Sequence, residues 1–314
     1  MAEPAVAACP PSKVNILQLL YSHLSGPEDP PADRAADPQM RTVVENAILR
    51  QLEHMLTIVH HRHVNHQQAM IDADTYGCAC DSHNTQTTSS PCPPPLPFSI
   101  AARQSSIVGS GVGVFATGPI RTGTLVSLYP GVIYAREDIP VASQLVWPGN
   151  DYLISRTDGT ILDGRPIVAS LSAPAPTGVS PSEWAGATAS ERMFRSCLLR
   201  DKAQRCGPKD PLLDPRRECP FVVGNLLNHP NPPNHPNCVS FTLDIPATFP
   251  RELWKYIPNV PFRPREPADA RLVAGLALVA AKDIAPGEEL FLDYRYDHIN
   301  KKTPAWFVPT CLTE

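Results

Sequence analysis

The sequence is short of positive charge, of long apolar runs and of ordered cysteine spacing, and each shortage removes a class of function. Lysine and arginine number 27 against 31 acidic residues, a formal charge of −4 over 314 residues. Such a chain carries no basic field to hold a phosphate backbone, so direct nucleic-acid binding is disfavoured. The longest apolar run, residues 272–281, is closed by Arg271 and Lys282. A membrane-spanning helix needs roughly 20 such residues. This run therefore reads as a buried strand or core segment, and no membrane contact is expected. Residues 1–11 lack a basic start leading into an apolar run, so no secretory signal is read. Nine cysteines, scattered along the chain, form no disulfide framework and suit free thiols in a reducing compartment. The expectation is a soluble intracellular protein in the nucleus or cytoplasm, with no basic import cluster to decide between them.

What is abundant is proline, 37 residues against an average usage of about 5%. The prolines gather at 26–38, 91–97, 172–181, 230–236 and 246–267, which marks these stretches as loops or linkers. Hydrophobic residues make up 42%, enough for a globular chain of this length to bury a core.

The pattern changes near residue 98. Before it, residues 14–24 predict a short helix and residues 40–74 a long one. In the long helix Val44, Ala47, Ile48, Leu52, Met55, Leu56 and Val59 recur at helical steps, the stripe of an amphipathic helix. Residues 81–97, rich in Ser, Thr and Pro, read as a linker. From Phe98 the runs are β-branched and short. Strands are predicted at 112–116, 124–134, 152–155, 160–162, 238–245, 272–281 and 289–294, many separated by Gly or Pro turns. No βαβ alternation is evident, so a mostly β architecture of small sheets is expected. Residues 170–220 read as an insertion with a helix near 190–204.

Four motifs occur in order. The first holds Gly109, Gly111 and Gly113, followed by Val114-Phe115-Ala116. Glycine allows close backbone approach and positive φ, but alone such a stretch is a bland hairpin turn. No long helix follows, so the dinucleotide-binding reading fails. The second is Leu128-Tyr129-Pro130-Gly131, which alone reads as a type II turn after an exposed tyrosine. The third runs from Val223-Gly224-Asn225-Leu226-Leu227-Asn228-His229 through a proline-rich loop to Pro236-Asn237-Cys238. The fourth is Pro286-Gly287-Glu288-Glu289-Leu290-Phe291-Leu292-Asp293-Tyr294.

This ordered set resembles the SET-domain family of protein methyltransferases, with its G-x-G segment, Y-x-G turn, R-F-x-N-H-S-C-x-P-N segment and closing G-E-E-L-x-x-D-Y. The likeness spans residues 98–298. Within the family, residues 127–131 and 244–253 also resemble the SET domain-containing protein 9 group. The resemblance implies a mostly β fold, the β-clip SET fold, whose small sheets end in a C-terminal pseudoknot with the Asn228 segment threaded beside the Tyr294 segment. Threaded connections are rare, so this is a sharp expectation. An N-terminal α-helical region with its linker would occupy 1–97. The SET domain, with its 170–220 insertion, would fill 98–298 and a tail 299–314. Residues 1–97 are expected to be removable without loss of the folded domain.

The activity implied is transfer of a methyl group from S-adenosyl-L-methionine to a lysine of a protein or peptide. Carried over from the family, Gly111 and Gly113 would present backbone to the methionine end of the cofactor, and Tyr129 would help close that pocket. Asn228 and His229 would hold its ammonium and adenine portions. Tyr294 would be the catalytic residue, its hydroxyl near the transferring methyl. Methyl transfer from a sulfonium is an in-line displacement that needs a neutral amine. Free lysine, with a pKa of ~10.4, gives up its proton at neutral pH at a cost of about 4–5 kcal/mol. A narrow aromatic channel and the nearby sulfonium both disfavour the ammonium. The chemistry calls for no metal and no covalent intermediate.

The chain departs from the pattern in places. Asn225 or a neighbour replaces the family arginine, and Pro230-Asn231 stands where Ser-Cys is usual. The P-N pair is either Pro233-Asn234, which keeps the spacing, or Pro236-Asn237, which leads straight into a strand; the second is preferred. Only Cys311 lies beyond Tyr294, so the zinc-binding cluster that often follows is absent. Trp306 or Phe307 is a candidate to pack over the adenine or the lysine channel instead. Cys78, Cys80, His83 and Cys92 match no familiar zinc spacing, and His60, His61, His63 and His66 read as a solvated helix face. Tyr152, Asp163 and Tyr296 stand where the family has structural or channel-lining residues. For Asp163 a turn role before Gly164 is favoured; for Tyr296 core packing and channel lining stay equal. The altered Asn228–Pro236 stretch keeps a second reading open, a catalytically inactive SET-fold interaction module.

Overall fold

The computed structural model describes residues 16–24, 38–75, 94–145, 150–165, 197, 219–264, 266, 269–294 and 307. Two helices come first, α1 (Ile16–Leu24) and α2 (Pro38–Thr75). Pro38 opens α2, at a position where its missing N–H breaks no helical bond. All seven apolar residues of the predicted stripe are buried, none more than 5% exposed. Among the described residues, no helix is long and apolar enough to cross a membrane.

Small sheets follow, as expected. The first joins β1 (Ile100–Gln104), β2 (Val112–Ala116) and β10 (Glu289–Leu290) in the order β1-β2-β10. The second, in the order β3-β9-β7, is formed by β3 (Leu125–Leu128), β9 (Arg271–Ala280) and β7 (Cys238–Pro246). The third takes the order β5-β6-β4-β8, from β4 (Gly131–Tyr134), β5 (Leu153–Ser155), β6 (Ile161–Asp163) and β8 (Asn259–Pro261). Pairings within the sheets are antiparallel except for β4 with β8. The run 124–134, expected as one strand, divides between two sheets. Tyr129-Pro130 makes the step, because Pro130 has no N–H to extend a ladder. Gly131 has φ +138, and a Cβ there would fall 2.0 Å from the Asp163 carbonyl, so only glycine fits. The short α3 (Ile139–Leu145) and β1 and β8 were not legible as elements in the sequence.

The threaded connection is present. Phe291 and Leu292 lie between two distant segments, bridged in parallel to Asn228 on one side and to Cys238 on the other. The Leu292 N–H donates to the Asn228 carbonyl at 3.0 Å, and the Cys238 N–H donates to the Phe291 carbonyl at 3.0 Å. Asn237 locks the crossing. Its Nδ2 donates to the Glu289 carbonyl at 2.8 Å, and its Oδ1 accepts from the Phe291 N–H at 2.7 Å. Asn237 is 1% exposed while Asn234 is on the surface, so the asparagine leading into the strand is the structural one.

A buried cation ties the second sheet to the third. The Arg156 guanidinium donates to the Leu243 and Gly275 carbonyls and pairs with Asp158 and Asp244. Burial alone would raise the Asp158 carboxyl. Hydrogen bonds from Arg156 and Thr160 outweigh it and hold the group at about 2. Cys197, Cys219 and Cys238 are buried, and burial pushes Cys219 up to about 12 despite a backbone hydrogen bond.

The expected separation at residue 97 does not hold for the core. Leu20, Val44, Ile48, Leu52, Met55 and Leu56 share one apolar cluster with residues of β2, β3, β7 and β9. Polar ties reinforce the contact. Gln51 donates to the Gly123 carbonyl and accepts from the Leu125 N–H, at 3.0 and 2.8 Å, and Glu45 accepts from the Asp244 N–H at 3.0 Å. The helical region is thus a layer of the same body, its apolar stripe covered by these strands and by α1. The 170–220 insertion, with its expected helix at 190–204, lies outside the described residues apart from Cys197 and residues 219–220, as do Cys78, Cys80, His83, Cys92 and Tyr296.

A chain beginning at residue 98 would expose that face, and it should aggregate or bind a hydrophobic dye where the full chain does not. Gel filtration of the two forms checks this. The histidines of α2 make a second prediction. His60 is not simply solvated: its Nδ1 lies 3.2 Å from the Tyr256 hydroxyl, in the 3₁₀ turn Arg251–Tyr256. Burial lowers its pKa from the ordinary 6.5; Lys255, His61 and His63 push the same way, and Glu252 opposes them. Above pH 6.5 the ring is neutral in both the folded and unfolded states. Below it the unfolded chain binds the proton first, so stability falls as the pH drops through that window. Thermal melts from pH 7.5 to about 5.5 should show this decline, and His60→Gln should flatten it.

Candidate active site

A cleft of about 560 Å³ opens between the β1–β2 loop and the threaded crossing. Residues 107–112 of the loop form one wall. The other is built from Asn225, Leu226, Asn228, His229 and Asn231, with Asp151, Tyr152 and Tyr294 completing the lining. This volume lies within the range of small-ligand sites, roughly 300–1,000 Å³. Four of the six site residues expected from sequence, Gly111, Asn228, His229 and Tyr294, meet here from segments far apart in the chain.

The two glycines of the first motif have different tasks. Gly111 sits in the cleft wall with φ +70 and open space where a Cβ would stand. Its backbone is therefore accessible to a ligand. Gly113 is buried and faces away from the cleft; a Cβ there would lie 2.0 Å from Glu289 Oε1. Glycine is needed at 113 to admit a buried carboxylate. That carboxylate accepts from Ser105 Oγ at 2.7 Å, from the Ser106 N–H at 2.8 Å, from Ser106 Oγ, and from Asn228 Nδ2 at 3.3 Å. Asn228 Nδ2 also donates to the Val112 carbonyl at 3.1 Å.

Tyr294 follows the threaded strand, and its hydroxyl donates to the Leu227 carbonyl at 2.8 Å. Its backbone N–H points at His229 Nδ1, 3.3 Å away, so that nitrogen acts as an acceptor. The Phe307 ring stacks on His229, with centroids 4.3 Å apart and planes at 28°. Of the two tail aromatics considered from sequence, Phe307 thus covers the histidine of the N-H pair, while Trp306 lies outside the described residues.

Tyr129 is not the exposed turn residue that its motif alone suggests. It is 6% exposed and does not line the cleft. Its hydroxyl donates to the Tyr152 carbonyl at 2.8 Å, so it props a lining residue from behind. The Tyr152 phenol is held above its ordinary value, first by burial and then by the Asp151 carboxylate, with Arg165 opposing. Asp163 takes the turn role expected of it, accepting from Asn150 Nδ2 and the Arg165 N–H at 2.9 and 3.0 Å. Asn225 stands at or beside the position where the resemblance would put an arginine. Its Nδ2 donates to the Gly164 carbonyl at 3.1 Å, and its buried Oδ1 has no hydrogen-bond partner among the described residues. Neither Glu289 nor Asp151 was singled out from the sequence, and Asn225 was noted there only as a departure from the family pattern. The available signals were the positions of Glu289 inside the fourth motif and of Asn225 inside the third.

Comparison with known proteins agrees with this geometry. The SET domain family model matches residues 111–295, from the cleft glycine to just past Tyr294. Human (Homo sapiens) SET domain-containing protein 9 is 32% identical over 201 residues, covering 63% of this chain and 58% of the relative. The Pongo abelii protein of the same name is 32% identical over 201 residues, covering 63% of this chain and 64% of its own. The chain therefore spans about three fifths of these curated relatives. A crystal structure of KRYPTONITE in complex with mCHH DNA, H3(1-15) peptide and SAH overlaps 68% of this chain and 26% of its own. The identity there is 16% and the TM-score 0.30, too low to bear on function. On the family match and the threaded cleft it spans, the chain belongs to the SET domain family.

Proposed function

We propose that the protein transfers a methyl group from S-adenosyl-L-methionine to a lysine amine of an intracellular protein or peptide. The observation that carries this reading is the convergence of Gly111, Asn228, His229 and Tyr294 on one cleft. The residues present fit the cofactor. Gly111 offers open backbone to its amino-acid end. Asn228, with Nδ2 engaged twice, keeps Oδ1 for an ammonium donor. The partnerless Oδ1 of Asn225 adds acceptor character to the wall.

When bound, the cofactor would supply an electrophilic methyl on a sulfonium, whose sulfur would leave as a neutral thioether. The chain's own part is to bind, orient and desolvate. Tyr294 has committed its proton to the Leu227 carbonyl, so its oxygen presents lone pairs to an amine N–H. Such a contact would orient the amine nitrogen within the cleft. Tyr152, whose phenol stays protonated, and Leu226 give the cleft apolar walls that disfavour the ammonium form of the incoming lysine. Asp151, exposed at the edge, offers a negative charge to a basic substrate segment. The second reading, an inactive SET-fold interaction module, draws on the Pro230-Asn231 departure in the crossing loop.

Calorimetry with S-adenosylmethionine separates the two. The enzyme reading expects micromolar-range binding that Asn228→Ala weakens. It expects Tyr294→Phe to bind nearly as well while methyl transfer falls about 100-fold. No binding by the well-folded chain would favour the interaction module, and loss of binding in Tyr294→Phe would make that tyrosine structural.

A further inference from the structure

Glu289 is 4% exposed and carries no basic partner among its described contacts, yet it sits directly behind the cleft wall. Every hydrogen-bond partner of its carboxylate among the described residues is a donor: two serine hydroxyls, the Ser106 N–H and the Asn228 amide. Oε1 takes Ser105 Oγ and Asn228 Nδ2, and Oε2 takes both groups of Ser106. One carboxylate therefore joins the 105–111 loop to Asn228, the two walls of the cleft. Ser105 Oγ in turn accepts from the Ile107 N–H at 3.1 Å, at the start of the lining segment. A residue larger than glycine at 113 would drive the carboxylate out.

We infer that Glu289 is a positioning residue whose acceptor-only carboxylate fixes the 105–111 loop and the Asn228 amide, so that Asn228 turns Oδ1 toward an ammonium in the cleft. Glutamine cannot substitute. Its amide nitrogen would face Asn228 Nδ2 in the place of Oε1, or the Ser106 N–H in the place of Oε2, setting donor against donor in either orientation. Asn228 cannot relieve the first clash by turning over, because Val112 needs the same Nδ2. The identity of the ammonium rests on the methyl-transfer reading; the clamp itself does not.

The test compares wild type, Glu289→Gln and Ser106→Ala in the full chain. Amide hydrogen exchange without cofactor should speed up over residues 105–113 in Glu289→Gln, and less so in Ser106→Ala, with β7 and β9 unchanged. In calorimetry with S-adenosylmethionine, Glu289→Gln should bind about tenfold more weakly. With 5′-methylthioadenosine, which lacks the ammonium, the change should be small. Unaltered exchange over 105–113, or equal weakening for both ligands, overturns the inference. If Glu289→Gln fails to fold, Ser106→Ala carries the same two readouts. A wild type that binds neither ligand counts against the methyl-transfer reading, and the exchange pattern then decides the clamp alone.

Discussion

The passage of residues 289–294 between Asn228 and Cys238 is the constraint from which the rest of the site hangs. A strand bonded on both sides has no freedom to shift register, since Leu292 is held to Asn228 while Phe291 is held to Asn237 and Cys238. Its first residues extend the β1–β2 sheet as β10, and its last places Tyr294 beside His229. Loop, asparagine, histidine and tyrosine are thus set relative to one another by backbone bonds of the crossing and by side-chain bonds to it, which are directional and cannot slide as an apolar contact can. The cleft is a by-product of that crossing.

Two buried charges show how the molecule handles ions in its interior. Arg156 is a cation among acceptors, and Glu289 an anion among donors. Burying either unpaired would cost several kcal/mol, roughly what an isolated ion loses on leaving water. Each is instead wrapped by groups of fixed geometry, so each transmits the position of one segment to another. Arg156 does this between sheets and Glu289 between the cleft walls.

The helical layer belongs to the same economy of surface. The stripe on α2 faces β3, β7 and β9, and Gln51 and Glu45 satisfy backbone groups at the ends of those strands. The β-sheets here are small, and a small sheet covered on one side only leaves apolar area in water. The helix supplies the missing cover.

Much of this was legible from residues alone. The 3.6-residue stripe announced α2 and β-branched runs announced β2, β7 and β9, because each depends on side chains close together in sequence. The threaded fold was implied by the family resemblance that the ordered motifs carry. Asn237 was separable from Asn234 because it abuts a strand. What failed needed partners distant in the chain. No local pattern tells that α2 packs on strands some 200 positions later, that Tyr129 supports Tyr152 from behind, or that Gly113 makes room for Glu289 and not for a ligand. The sequence by itself pointed to the family, the long helix, the β-branched strands and four of the cleft residues, since motifs and periodicity are properties read along the chain. The tertiary structure alone decided which polar atoms are spent on the protein and which remain for a ligand, because a hydrogen bond belongs to two groups and the chain brings them together only on folding.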